Sequence, residues 1–229
     1  MDTWGEGPVP SIGRLRSAYR RPPRKSYHYN QLEKFTSKTE ISIAHEWGHW
    51  ALHRGQTLEC RADAIEINAL RKRNQEGVAD KYASRMLMPE YLLAPVLSNS
   101  RKLDIAVIQK IATEFDVSLT AAAIRCVEAD HYASLLVCHG TSGRKWFVRS
   151  PSVPERWFPQ AELDGESSAF DIVFGQEVSV TRCQKIGADA WFDRRDAARF
   201  EIYEQSVRIG RSESLTVLQF TDDEMLMEA

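Results

Sequence analysis

Two histidines four residues apart, with a glutamate directly after the first, constrain this chain more than any other feature it carries. The stretch is Ile43-Ala44-His45-Glu46-Trp47-Gly48-His49-Trp50-Ala51-Leu52-His53. On an α-helix, residues i and i+4 share a face, so a helix here would bring His45 and His49 to one point. Two imidazoles so placed can hold one Zn2+, and Glu46 stands where a carboxylate can take a proton from water at that ion. The surrounding residues support a helix. Ser37-Lys38-Thr39-Glu40 has the form of a capping box, in which Ser37 and Glu40 satisfy backbone N–H groups reciprocally. Ile41, Ala44, Gly48 and Leu52 form an apolar or small stripe, and Gly55 reads as the stop. Gly48 has no side chain and so lets a second element approach the metal side closely, at some cost in helix propensity.

Two histidines leave a metal short of ligands, so a third must come from elsewhere in the chain. Residues 57–74 read as a second helix, with Leu58, Ala62, Ile65 and Ala69 on one face. Residues 76–89 give another helical stripe of Ala79, Ala83, Met86 and Leu87, limited by Pro89. Small side chains at 79 and 83 permit close helix packing, which would draw Glu76 toward the histidines. A carboxylate there completes a His2Glu set with one position open, the arrangement of catalytic rather than structural zinc. Spacing alone also admits His53, Glu59, Asp63 and Glu66. His53 lies two turns from His45 on the same helix, which puts it beside the site rather than in it. The three acids read equally well as solvated helix charges. Asp80, one turn after Glu76, is placed to hydrogen-bond a ligating histidine. Imidazole and carboxylate ligands also accept Mn2+ or another divalent ion.

Elsewhere the composition bounds the answer more loosely. A formal net charge of −2 over 229 residues does not describe a surface made for nucleic acid. Four scattered cysteines, Cys60, Cys126, Cys138 and Cys183, form no C-x-x-C pair, which fits reduced thiols of a cytoplasmic protein. No apolar run approaches the ~20 residues of a membrane span, and no signal-peptide pattern opens the chain. Residues 1–25 carry Arg14, Arg16, Arg20, Arg21, Arg24 and Lys25 around Pro22-Pro23, and read as a basic, flexible arm.

Residues 103–115 and 118–129 outline two short helices, with Ser118 as N-cap of the second. The outline is that of a helix-turn-helix, but a DNA reader needs basic and amide side chains on its second helix. This one offers only Arg125, so a packing element is expected and direct nucleic-acid binding is disfavoured. From Ala133 the texture turns to strands: 135–138, 145–148, 170–174, 178–181 and 215–220, with a short helix around 194–200. Trp146, Trp157, Phe158 and Trp191 read as core aromatics in preference to a ligand cleft. The expected fold class is therefore α+β: a mainly helical catalytic half over residues 26–130, then a smaller β-rich domain over 131–229.

His45-Glu46-x-x-His49, followed by Glu76-Gly-x-Ala79-Asp-x-Tyr-Ala83-Ser-x-x-Leu87-Met88-Pro89, resembles the ImmA/IrrE family of metallo-endopeptidases. The resemblance spans residues 41–89 and runs more weakly into 101–130. It implies a zincin-like domain whose metal ligands match His45, His49 and Glu76 and whose general base matches Glu46. It also implies the substrate, a helix-turn-helix transcriptional repressor whose cleavage releases phage, mobile-element or stress-response genes. In longer members the C-terminal half resembles a GAF-like sensor domain. The chain departs from the family before the first histidine, where Lys38-Thr39-Glu40-Ile41-Ser42-Ile43-Ala44 replaces an Arg-x-x-Phe-Thr-Leu-Ala run. The rival reading is a DNA-binding or ligand-sensing transcription regulator with a non-catalytic metal site. The oxyanion donor is left open among Tyr82, Tyr91 and His28.

Overall fold

The computed structural model describes residues 37–53, 65–175 and 178–227. The basic arm, residues 26–30, Gly55, Glu59 and Asp63 lie outside that range, and so do the side chains of Ser37 and Glu66. The motif segment is helix α1, Ser37–Leu52. Its buried stripe is narrower than expected, since Ala44 and Gly48 are covered while Leu52 faces solvent.

The next element corrects the sequence reading. One continuous helix, α2 (Ile65–Leu87), replaces the expected pair divided near Gln75. Gly77 does not break it. A glycine costs a helix interior about 1 kcal/mol, and burial of Ala79 and Ala83 in the turns that follow offsets this.

Helix α3 (Glu90–Ser98), with Pro89 as N-cap, was not expected, because Pro95 falls inside it. Proline forfeits one backbone bond there, but Leu93 and Leu97 are fully buried and hold the segment in place. Helices α4 (Ile105–Glu114) and α5 (Leu119–Glu128) form as expected. Asp104 and Ser118 cap them, accepting from the N–H groups of Val107 and Ala121 at 2.9 and 3.1 Å. Between them Asp116 takes a left-handed conformation (φ 48°), which an aspartate tolerates better than most residues.

Beyond the helices lies a five-stranded sheet in the order β2-β1-β5-β4-β3, antiparallel throughout. The strands are β1 (Ser134–Gly140), β2 (Gly143–Arg149), β3 (Gln184–Gly187), β4 (Glu201–Gly210) and β5 (Glu213–Gln219). The interior strand β1 is buried on both faces, and its alternation sorts the core. Leu136 and Cys138, with Leu215 and Val217 of β5, join the cluster formed by α3, α4 and α5. Leu135 and Val137 join Trp157, Trp191, Phe192 and Phe220 on the other face. The helical half and the sheet therefore share one apolar layer, which fixes α5 on the sheet and gives α2 a firm neighbour.

Three expectations in this half fail for physical reasons. Residues 170–174 form helix α6 (Ser168–Phe174), not a strand. Ser167 caps it by accepting from the Ala169 N–H at 3.1 Å, and the buried residues Ala169, Ile172 and Val173 follow helical spacing although Ile172 and Val173 are β-prone types. Residues 178–181 make only an isolated bridge, Val180 to Val207, instead of a strand. Strand β4 was missed because its inward face carries Glu204 and Ser206, which break the apolar alternation. Glu204 is held by the Ser167 hydroxyl at 3.0 Å and the Trp191 indole N–H at 3.1 Å, so the buried carboxylate is satisfied. The helix expected around 194–200 shrinks to a 3-10 turn, Ala197–Arg199. A short helix α7 (Asp223–Leu226) ends the described chain.

Candidate metal centre

Close contact between α1 and α2 builds the site. A Cβ on Gly48 would lie 3.0 Å from both the Cα and the carbonyl oxygen of Ala79. Only glycine lets the two backbones run that near, and with Ala79 and Ala83 also small, Glu76 is carried up beside the motif histidines.

Three atoms then converge. His45 Nε2 is 3.0 Å from His49 Nε2 and 3.1 Å from Glu76 Oε2, and His49 Nε2 is 3.4 Å from the same oxygen. Four ligands arranged tetrahedrally at zinc bond lengths stand about 3.3 Å apart. The triangle is therefore the size such an ion imposes, and the donor set of two imidazoles and one carboxylate suits it. The ligand atoms of these residues all lie within 4.8 Å of one another.

The groups behind them orient the donors. His45 Nδ1–H donates to Asp80 Oδ1 at 2.7 Å, which leaves Nε2 as the lone-pair nitrogen facing the triangle. His53 Nδ1 lies 3.2 Å from His49 Nδ1, so His53 stands behind the centre and adds no third imidazole to it. Partial burial pushes the Glu76 carboxyl up, but whenever the imidazoles carry a second proton, hydrogen bonds and positive charge from His49 and then His45 outweigh it. The net position is below the ordinary carboxylate value. Glu46 is exposed, next to His45 on α1.

The remaining sequence candidates fall elsewhere. Tyr91, at the start of α3, is 75% exposed. Tyr82 lies on α2 and is half-buried, and His28 is outside the described residues. Arg125, the sole basic residue of the outlined recognition helix, is 4% exposed. Its Nε donates to the Met88 carbonyl at 3.1 Å and its Nη2 to Glu90 Oε2 at 2.6 Å. That guanidinium is committed to tying α5 to the α2–α3 corner, as expected of a packing element. Its partner Glu90 escaped notice because α3 did. Trp157 and Trp191 are core, Trp146 is half-buried and Phe158 lies at the surface. Among the described residues, no helix is long and apolar enough to cross a membrane.

Comparison with known proteins bears on both the family and the fold. Residues 16–127 match the family model described as IrrE N-terminal-like domain, peptidase M78. A solved structure of a Mycobacterium tuberculosis transcriptional regulator is similar in fold, with a TM-score of 0.51 and 10% sequence identity. The likeness covers 80% of this chain but only 56% of that one. No curated protein sequence matches the chain.

Proposed function

Residues 16–127 place this chain in the ImmA/IrrE family, and from that premise we propose that it is a metal-dependent endopeptidase. The observation that carries the reading is the triangle of His45, His49 and Glu76, each donor atom 3.0–3.4 Å from the next. These three residues would hold Zn2+, or Mn2+ in its place. A divalent ion held there supplies Lewis acidity, acidifying water and polarising the scissile carbonyl.

The chain's own residues do the rest. Asp80 fixes the tautomer of His45, and Glu76 brings a carboxylate whose ionised form its neighbours favour. Glu46 takes a proton from the attacking water on its carboxylate, then delivers it to the departing amine as the peptide bond breaks. Its exposure leaves room for a peptide to pass alongside α1. From the family we take the substrate to be a helix-turn-helix repressor in the cytoplasm, cut to release the genes it silences.

The test is Glu46→Gln beside wild type, with metal content by mass spectrometry and cleavage of the repressor by gel. Full metal with cleavage lowered about 100-fold or more is expected, the range for removal of a general base. Unchanged cleavage by Glu46→Gln would refute the assigned chemistry.

A further inference from the structure

A cavity of about 510 Å3 opens beside the metal centre, between α2, α5 and the first turns of α1. Its walls are apolar: Ile41 from α1, Ala83 and Leu87 from α2, Ala121 and Ile124 from α5. Charges enter only through Asp80, Lys81 and Glu128. The last two form an ion pair at 3.6 Å that links α2 to α5.

The cavity adjoins the candidate centre through Asp80. Asp80 lines the cavity and also holds His45 at 2.7 Å. Gly77 lines it directly after Glu76, and Ile41 precedes His45 by one helical turn, about 6 Å along the axis. A peptide whose scissile carbonyl lies at the triangle therefore brings a neighbouring side chain to the mouth of this space.

We propose that this cavity is the specificity pocket of the peptidase and takes a large apolar side chain, of leucine, methionine or phenylalanine type, adjacent to the bond that is cut. The assignment rests on the peptidase reading above. The occupant follows from the walls: a charged side chain would lose its hydration against them, Asp80 is already engaged by His45, and the space exceeds what alanine fills. Lys81 and Glu128 are already paired with each other at 3.6 Å.

The test separates this assignment from the reading it rests on. Zinc-loaded full-length protein is titrated by calorimetry with the hydroxamates of glycine, alanine, leucine and phenylalanine, whose metal-binding group sits next to the side chain. Leucine and phenylalanine hydroxamates should bind about tenfold or more tighter than the glycine compound, the scale of burying one such side chain. Ala121→Phe fills the space and should abolish that preference with metal content unchanged. Ile124→Ala widens it and should favour phenylalanine further, which keeps the test open if the first variant fails to fold. Equal affinity for all four compounds, or a preference that survives Ala121→Phe, overturns the pocket and leaves the peptidase standing. Failure of every hydroxamate to bind the zinc-loaded protein overturns the open metal site, and the pocket with it.

Discussion

Asp80 on α2 accepts a 2.7 Å hydrogen bond from Nδ1 of His45 on α1, and so decides which nitrogen of that ring faces Glu76. A histidine without such a partner divides its population between two tautomers and several ring orientations, and an ion must select among them. The same bond also ties together the two helices that carry the donors.

Replacing Asp80 by Ala should therefore lower metal affinity 10–100-fold, the usual effect of losing a carboxylate behind a ligating histidine. Asp80→Asn, which keeps an acceptor oxygen, should fall at the low end. Competition against a chelator of known affinity measures both. Wild-type affinity in Asp80→Ala would mean that His45 is oriented by something else.

Gly48 sets the separation of the two helices. Gly48→Ala gains about 1 kcal/mol of helix propensity, yet its Cβ would meet backbone atoms of Ala79 at 3.0 Å, which must move by a few tenths of an ångström. Gly48→Val adds two methyl groups to the same contact and should destabilise by about 1–3 kcal/mol, the range for overpacking. Because the contact lies between the histidines and Glu76, metal affinity should fall at least tenfold in Gly48→Val. Urea unfolding and a chelator titration on one preparation give both quantities. Unchanged metal affinity would show that the triangle tolerates a wider gap between the helices.

The way this site is assembled explains what could be read from the sequence. His45, Glu46 and His49 are fixed relative to one another by the helical repeat, so a local pattern names them. Glu76 comes from another helix, and only packing of Ala79 on Gly48 brings it in. The sequence offered four rivals to it, and the family resemblance chose. The same division holds in the fold. Helices α4 and α5 announce themselves through a regular apolar stripe and, for α5, through Ser118. Helix α3 hides behind Pro95, and β4 hides because its inward residues Glu204 and Ser206 are polar and satisfied only by α6, Trp191 and Thr216. The cavity beside the centre has no local signature, since ordinary apolar residues from α2 and α5 and a single one from α1, Ile41, make its walls.

His139 supplies a prediction about pH. It is fully buried on β1, its ring 5.6 Å from that of Trp191, and neither nitrogen has a hydrogen-bond partner among the described residues. Burial lowers its pKa from 6.5 to about 4; the backbone of Gln160 opposes this from outside good hydrogen-bond geometry, and the positive charge of Arg144 adds to it. Once unfolded, the same ring takes up a proton near pH 6.5. Between those two values the unfolded chain binds more protons than the native one, so acidification favours unfolding. The stability His139 contributes is complete above pH 6.5 and is lost as pH falls toward about 4. Allowing for some water access, the loss is on the order of 2 kcal/mol. His139→Leu removes the titrating group at similar volume, so urea unfolding of the two proteins at neutral pH and near pH 4.5 isolates its share. Wild type should lose about 2 kcal/mol more than the variant on acidification. Parallel losses would mean that the ring gains a partner when it takes up a proton.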